Sequence, residues 1–208
     1  MIKKVIFDLD DTLIINKIDV MNNYDYILKK YNMNTTINEL YDVIGSYEVS
    51  TNKYDRYELL DLINNYYKSN YSIELVDDII DAVGEWTYEA PKEVVDTLEY
   101  LSNKYELYVL TNWFHKSQEQ RLKTAGILKY FKDIRSAEIV TKPNEEAFKQ
   151  FFNDCTPGEC VMVGDSIKMD IEVPNKLGMK TILCDFKNKG LKTEGKIITS
   201  FNELVDML

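Results

Sequence analysis

The chain reads as an α/β protein: a doubly wound parallel sheet with a small all-α unit inserted after its first strand. Three observations predict this. Short apolar, β-branched runs recur along the chain, four of them strong. Helical stretches of about ten residues separate the later runs, the pattern of βαβ units with helices on both faces of a sheet. Between Ile15 and Ala90 the rhythm stops, and apolar residues recur only at helical spacing.

The first strand, Ile2–Phe7, ends at Asp8. Its apolar run suits a central strand buried on both faces. Four helices are then expected. Val20, Tyr24, Ile27, Leu28 and Tyr31 share one face; Ile37, Leu40, Val43 and Ile44 follow Thr36. Tyr57, Leu60, Ile63 and Tyr67 make a third, and Leu75, Ile79, Ile80 and Val83 follow Ser72, a candidate N-cap. Such helices pack on their own apolar faces.

The parallel pattern resumes at Pro91-Lys92-Glu93, which opens a helix over Val94–Lys104. A strand, Leu107–Leu110, ends at Thr111-Asn112. Lys116–Thr124 is helical and closes at Ala125-Gly126, where glycine suits a C-cap. A weaker strand covers Asp133–Ala137. Asn144 caps a helix to Asn153, with Glu145-Glu146 favouring its first-turn dipole. The strand Cys160–Val163 ends at Gly164-Asp165, and a helix over Met169–Leu177 stops at Gly178. The strand Lys180–Cys184 and a last helix, Phe201–Leu208, complete the series.

Composition excludes several classes. The 208 residues suit one domain with an insertion, and 45% hydrophobic content is enough for a core. With 25 Lys+Arg against 35 Asp+Glu the net charge is 25 − 35 = −10, which argues against a nucleic-acid groove. A small phosphorylated substrate needs only local positive charge and is not excluded. No apolar run approaches the ~20 residues of a membrane span. The early charged start, Met1–Phe7, is not expected to act as a secretory signal. Cys155, Cys160 and Cys184 cannot all pair, which fits a reducing cytoplasm. Cys155 and Cys160 lack the further Cys or His of a zinc site.

Chemistry is expected where strands end. Asp8 and Asp10 follow the first strand, and Asp165 follows a later one, with Asp170 about one helical turn on. In doubly wound sheets, ligands bind outside the carboxyl ends of the strands, so these carboxylates can converge. Together they would repel unless a cation sat among them, and hard oxygen donors suit Mg²⁺. Thr111 and Asn112 bring a hydroxyl and backbone N–H groups suited to an anion, and Lys142 a fixed positive charge. Asp11 reads as a turn residue, Asp185 as loop, and the lone His115 as a surface or capping residue.

These segments resemble the four motifs of the haloacid dehalogenase superfamily, as found in its phosphatases. Phe7-Asp8-Leu9-Asp10-Asp11-Thr12-Leu13 matches the first motif and Leu110-Thr111-Asn112 the second. Lys142-Pro143 matches the third, and Gly164-Asp165-Ser166-Ile167-Lys168-Met169-Asp170 the fourth. The resemblance implies a Mg²⁺-dependent phosphatase acting on a small phosphorylated metabolite. Asp8 would be the nucleophile, forming an aspartyl-phosphate. Asp10 would protonate the leaving oxygen and then activate water, negative neighbours helping it to stay protonated. Asp8, Asp165, Asp170 and the Asp10 carbonyl would hold Mg²⁺. Thr111 and Asn112 would bind phosphoryl oxygens, and Lys142 would neutralise charge between Asp8 and the phosphate.

The resemblance also implies a cap between the first and second motifs. Asp8 and Thr111 lie 103 positions apart, Thr111 and Lys142 only 31, so the extra unit is the early helical one. The expected division is a catalytic core of residues 1–15 and 89–208 and a helical cap of residues 16–88. The hinges fall near Ile14–Lys17 and Thr87–Pro91. Tyrosines, asparagines and Arg56 of this unit are candidates for selecting substrate. Trp113-Phe114 either narrow the cleft or stack on a flat substrate, or else pack under the loop; the sequence does not choose. Alternatives to a phosphatase are a phosphosugar mutase, a dehalogenase, which does not need Asp10, and a catalytically silent binding protein, which should have lost a motif residue.

Overall fold

A computed structural model of the chain describes residues 1–14, 22–85 and 90–208. The strands are β1 (Lys4–Phe7), β2 (Glu106–Leu110), β3 (Asp133–Arg135), β4 (Cys160–Gly164), β5 (Lys180–Cys184) and β6 (Lys196–Ile198). They form one parallel sheet in the order β3-β2-β1-β4-β5-β6. The chain builds outward from β1 to β3, then returns to the other side of β1 with β4. The strand order reverses beside β1, where such sheets bind ligands. Phe7 lies level with Val109 on one side and Val163 on the other. The residues after β1, β2 and β4 therefore emerge side by side.

Both faces of the sheet's centre are dry: β1 and β4 are buried at every residue, so side chains pointing to either face meet apolar partners. Val5, Phe7, Val109, Val161 and Val163 pack on Val94, Leu98 and Leu101 of α5 (Lys92–Ser102). Ile6, Leu110 and Met162 face the other way, onto Ala147 and Phe148 of α7 (Glu145–Lys149) and onto Phe151. Each such fully buried side chain contributes about 1.5–3 kcal/mol.

The insertion contains α1 (Asn22–Lys30), α2 (Ile37–Ser50), α3 (Arg56–Tyr67) and α4 (Ile73–Gly84). Thr36 caps α2 by accepting from the Glu39 N–H at 3.2 Å, and Asp55 caps α3 by accepting from the Tyr57 N–H at 2.8 Å. Ser72 occupies the cap position of α4 without a side-chain capping bond. Ile27, Leu40, Leu59, Leu75 and Ile79 form a separate apolar cluster, joined by Trp113, Phe114 and Ala137. Tyr54 packs edge-on to Trp113 at 5.8 Å and tilted against Phe114 at 5.4 Å between ring centroids. The two aromatics are 5% and 1% exposed, so they seat the helices on the sheet; Trp113 also borders a cleft.

Three local differences from the sequence pattern appear. β6 is a three-residue edge strand after a polar loop, too short to show a period. α7 stops at Lys149, and the turn-forming residues Asn153-Asp154 lie beyond it. The helix expected over Met169–Leu177 starts as a π-turn, Ile167–Ile171, before α8 (Glu172–Lys176). The expected hinges and both domain boundaries fall largely on residues 15–21 and 86–89, outside the described residues, as does Val20.

Candidate active site

Asp8 extends β1 by one residue, its N–H donating to the Val163 carbonyl at 2.9 Å. It is 8% exposed. The chain then turns sharply. Asp11 takes the left-handed conformation at φ 56°, which Asp tolerates better than most residues. Its N–H donates to Ile14 at 2.8 Å, and Lys187 closes the turn by donating to its carboxylate at 2.6 Å.

β4 delivers Gly164, Asp165 and Ser166. The π-turn then carries Asp170 back against β4, its N–H donating to Ser166 O at 2.8 Å. Such turns recur at functional sites because they re-aim a side chain. The Asp170 carboxylate accepts from the Ser166 N–H at 3.1 Å and from Lys142 Nζ at 2.6 Å. A Cβ on residue 164 would lie 2.4 Å from the Asp170 Cγ. Only glycine leaves room for that carboxylate.

Lys142 is 4% exposed and donates through Nζ to Asp8 Oδ1 and Asp170 Oδ1, both at 2.6 Å. Asn112 fixes the Lys142 backbone: its Oδ1 accepts from the Lys142 N–H at 2.8 Å, and its Nδ2 donates to the Lys142 carbonyl at 2.9 Å. Sequence reasoning offered the Asn112 backbone N–H to a phosphate. Its side-chain amide has a second partner that the sequence did not indicate: it ties the strand end of β2 to the lysine.

Asp8, Asp165 and Asp170 each place a carboxylate oxygen within 4.8 Å of the others. Burial drives the electrostatics. It pushes the Asp8 carboxyl up, Lys142 opposing and Asp170 adding to the rise. Burial, helped by Asp170 and Asp11, raises Asp165 to about 6. Burial alone would lower Lys142, but Asp170 and Asp8 more than reverse this. Three carboxylates against one ammonium leave two formal negative charges. Hard oxygen donors with that residual charge fit a divalent cation such as Mg²⁺.

Asp10 stands apart from this cluster. The negative neighbours expected around it, Asp8 and Glu48, are near enough to interact with it, but its carboxylate also meets a cation the sequence did not single out, the guanidinium of Arg121. Nη1 donates to Oδ2 at 3.1 Å and Nη2 to Oδ1 at 2.5 Å. Arg121 lies on α6 (His115–Thr124), which starts a few residues after β2. Gln118, one turn earlier, accepts from Arg121 at 2.9 Å and donates to Thr111 Oγ1 at 2.7 Å. Sequence reasoning missed both residues. One signal was present: Arg121 is one of only 3 arginines in a chain whose other 22 cations are lysines.

A cleft of about 480 Å³ opens beside Asp10, with Tyr41 and Glu48 of α2 on one wall and Asn112, Trp113, Gln118 and Arg121 on the other. Arg56 is not among its lining and pairs with Asp77 within the insertion. The insertion is bolted to α6 through Ser117, whose hydroxyl donates to Ile80 O at 2.5 Å and accepts from Trp113 Nε1 at 3.1 Å.

Comparison with known proteins agrees with this architecture. The sequence profile of the haloacid dehalogenase-like hydrolases matches residues 5–184. A Clostridium perfringens protein named for the pyrophosphatase PpaX is 33% identical over 93% of this chain and 88% of its own length. The magnesium-bound crystal structure of the Bacillus subtilis HAD-hydrolase YfnB superposes with a TM-score of 0.71 at 20% identity, covering 100% of this chain and 98% of that one. A 2-haloacid dehalogenase from Pseudomonas syringae pv. Tomato gives a TM-score of 0.72 at 20% identity, covering 99% and 97%. At such identities the structural likeness speaks for the fold alone. The chain belongs to the haloacid dehalogenase-like hydrolases and is an enzyme, a hydrolase of their phosphatase kind.

Proposed function

We propose that the chain is a Mg²⁺-dependent phosphomonoesterase that hydrolyses a small phosphorylated metabolite through an aspartyl-phosphate on Asp8. The observation that carries this reading is the pairing of a buried, lysine-bridged Asp8 with a second carboxylate, Asp10, that lines the adjoining cleft. A dehalogenase needs only the first of these. A hydrolase that must protonate an alcohol and then deprotonate water needs both.

Asp8, Asp165 and Asp170, with the Asp10 carbonyl, would hold Mg²⁺, which when bound would offset the charge of an incoming phosphate. The remaining work falls to the chain. Lys142 holds Asp8 Oδ1 and keeps the carboxylate from swinging away. Asp8 attacks phosphorus, and its new O–P bond forms as the bond to the leaving oxygen breaks. Thr111 Oγ1 accepts from Gln118, so its own proton is directed elsewhere, onto a phosphoryl oxygen. Asp10 gives its proton to the leaving oxygen. It then takes one from water as water oxygen bonds to phosphorus and releases Asp8.

Residues 16–88 would serve as the cap, closing on the cleft to exclude water during transfer. The described lining favours a monoester over an inorganic polyanion: Asp10 and Glu48 contribute carboxylates, and Arg121 is engaged with Asp10. The three free cysteines suit a reducing compartment, the cytoplasm.

The test is a panel of phosphorylated metabolites, pyrophosphate included, assayed for released phosphate. Release with Mg²⁺, lost with EDTA and in Asp8→Asn, is expected. An isomerised sugar phosphate without free phosphate would indicate a mutase. No turnover of any phosphate compound, p-nitrophenyl phosphate and acetyl phosphate included, would overturn the proposal.

A further inference from the structure

The Arg121 side chain is a long cation that is 2% exposed. Burying a guanidinium is expensive, and an apolar residue of similar size is often as stabilising. Stability is thus a poor reason for its presence. Its two terminal nitrogens meet the two Asp10 oxygens at 3.1 and 2.5 Å, the fork arrangement that fixes the plane of a carboxylate. Asp10 keeps its outer side open to the cleft, its side chain 37% exposed. Behind the fork stands Gln118, 0% exposed, which braces Nη1 at 2.9 Å and reaches Thr111 at 2.7 Å. Gln118 and Arg121 are three apart on α6, so they share a face of the helix.

We propose that Arg121 is the positioning residue for Asp10. Its fork sets the direction in which Asp10 presents its oxygen to the leaving group, and Gln118 couples that direction to the hydroxyl of Thr111. A point charge at the same place would attract Asp10 without fixing its plane. The inference rests on the reading of Asp10 as the acid–base group, and it concerns orientation alone.

The experiment uses the full chain with Mg²⁺ and two esters of similar shape, phenyl phosphate and p-nitrophenyl phosphate. Phenol is the poorer leaving group and depends more on a proton delivered in line. The quantity read is kcat/KM, which reports transfer up to loss of the leaving group. General acid help is typically worth 10²–10⁴-fold, so Arg121→Met should lower kcat/KM for phenyl phosphate by roughly 10²-fold and for p-nitrophenyl phosphate by less than about tenfold. Arg121→Lys, which keeps the buried charge, should show the same selectivity and carries the comparison if the Met variant does not fold. In an Asp10→Asn background either Arg121 change should alter phenyl phosphate turnover less than about threefold, since nothing remains to be positioned. An equal loss on both esters, full activity in Arg121→Lys, or an undiminished effect in the Asp10→Asn background would overturn the inference. A wild-type chain inactive on both esters would instead overturn the phosphatase reading. Selective loss in Asp10→Asn, without selective loss in the Arg121 variants, would remove this inference alone.

Discussion

Replacing Gly164 by alanine is expected to disable the acidic cluster from a distance of one methyl group. The added Cβ would lie 2.4 Å from both Asp170 Cγ and Oδ2 and 2.5 Å from its Cβ. Ordinary carbon contacts begin near 3.5 Å, so Asp170 must retreat by about 1 Å. It has nowhere to go cheaply: it is 1% exposed and is held by Lys142 at 2.6 Å and Ser166 at 3.1 Å. Overpacking costs about 1–3 kcal/mol. Loss of a charged hydrogen bond adds about 1.5–3 kcal/mol. The sum, about 2.5–6 kcal/mol, should appear in urea unfolding monitored by near-UV circular dichroism. Isothermal titration with Mg²⁺ on the folded variant should show affinity weakened at least tenfold. A variant within about 0.5 kcal/mol of wild type and with unchanged Mg²⁺ affinity would refute the claim that Gly164 exists to admit Asp170.

Other perturbations follow from the same geometry. Lys142→Met leaves Asp8 and Asp170 buried without their shared cation, and should lower unfolding free energy in EDTA by about 3–5 kcal/mol; a change under 1 kcal/mol would show that the pair is not desolvated. The folded chain in EDTA keeps protons that the unfolded chain gives up, because Asp165 titrates near 6 against an ordinary 3.8 and Asp8 is also raised. Stability from these groups is present below about 3.8; the Asp165 part, on the order of 1–3 kcal/mol, is lost as pH rises through 6 and the Asp8 part as pH rises through about 8. Thermal melts in EDTA from pH 4 to pH 8, corrected with an Asp165→Asn control, should show that fall, and Mg²⁺ should flatten it. Asp55→Ala removes the cap of α3 and should cost about 1 kcal/mol in unfolding without changing kcat on p-nitrophenyl phosphate.

The sequence carried the site's skeleton because strand ends are legible. An apolar run that stops at Asp8, Thr111 or Asp165 announces both a buried strand and the point at which it surfaces. The helical insertion is legible through its period, apolar residues recurring at helical spacing after Thr36 and Ser72, although Ser72 makes no side-chain capping bond and the cap of α3, Asp55, carries no such mark. What escaped depends on how separate elements meet. Whether Trp113 and Phe114 face substrate or packing is decided by Tyr54, some sixty positions away. Gln118 and Arg121 look like two polar residues on an exposed helix until α6 is laid across the end of β2. The bond of the Asn112 side-chain amide to the Lys142 backbone is a contact no spacing encodes. β6 escaped because three residues cannot display a period.

The central claim is that Asp8 itself receives the phosphoryl group. Enzyme mixed with Mg²⁺ and acetyl phosphate, quenched in acid within milliseconds, digested and mapped by mass spectrometry, tests it directly. A phosphoryl group on the peptide carrying Asp8, absent in Asp8→Asn, is the predicted result. Rapid hydrolysis in wild type with no label at Asp8 at any quench time, or label that survives in Asp8→Asn, would contradict it.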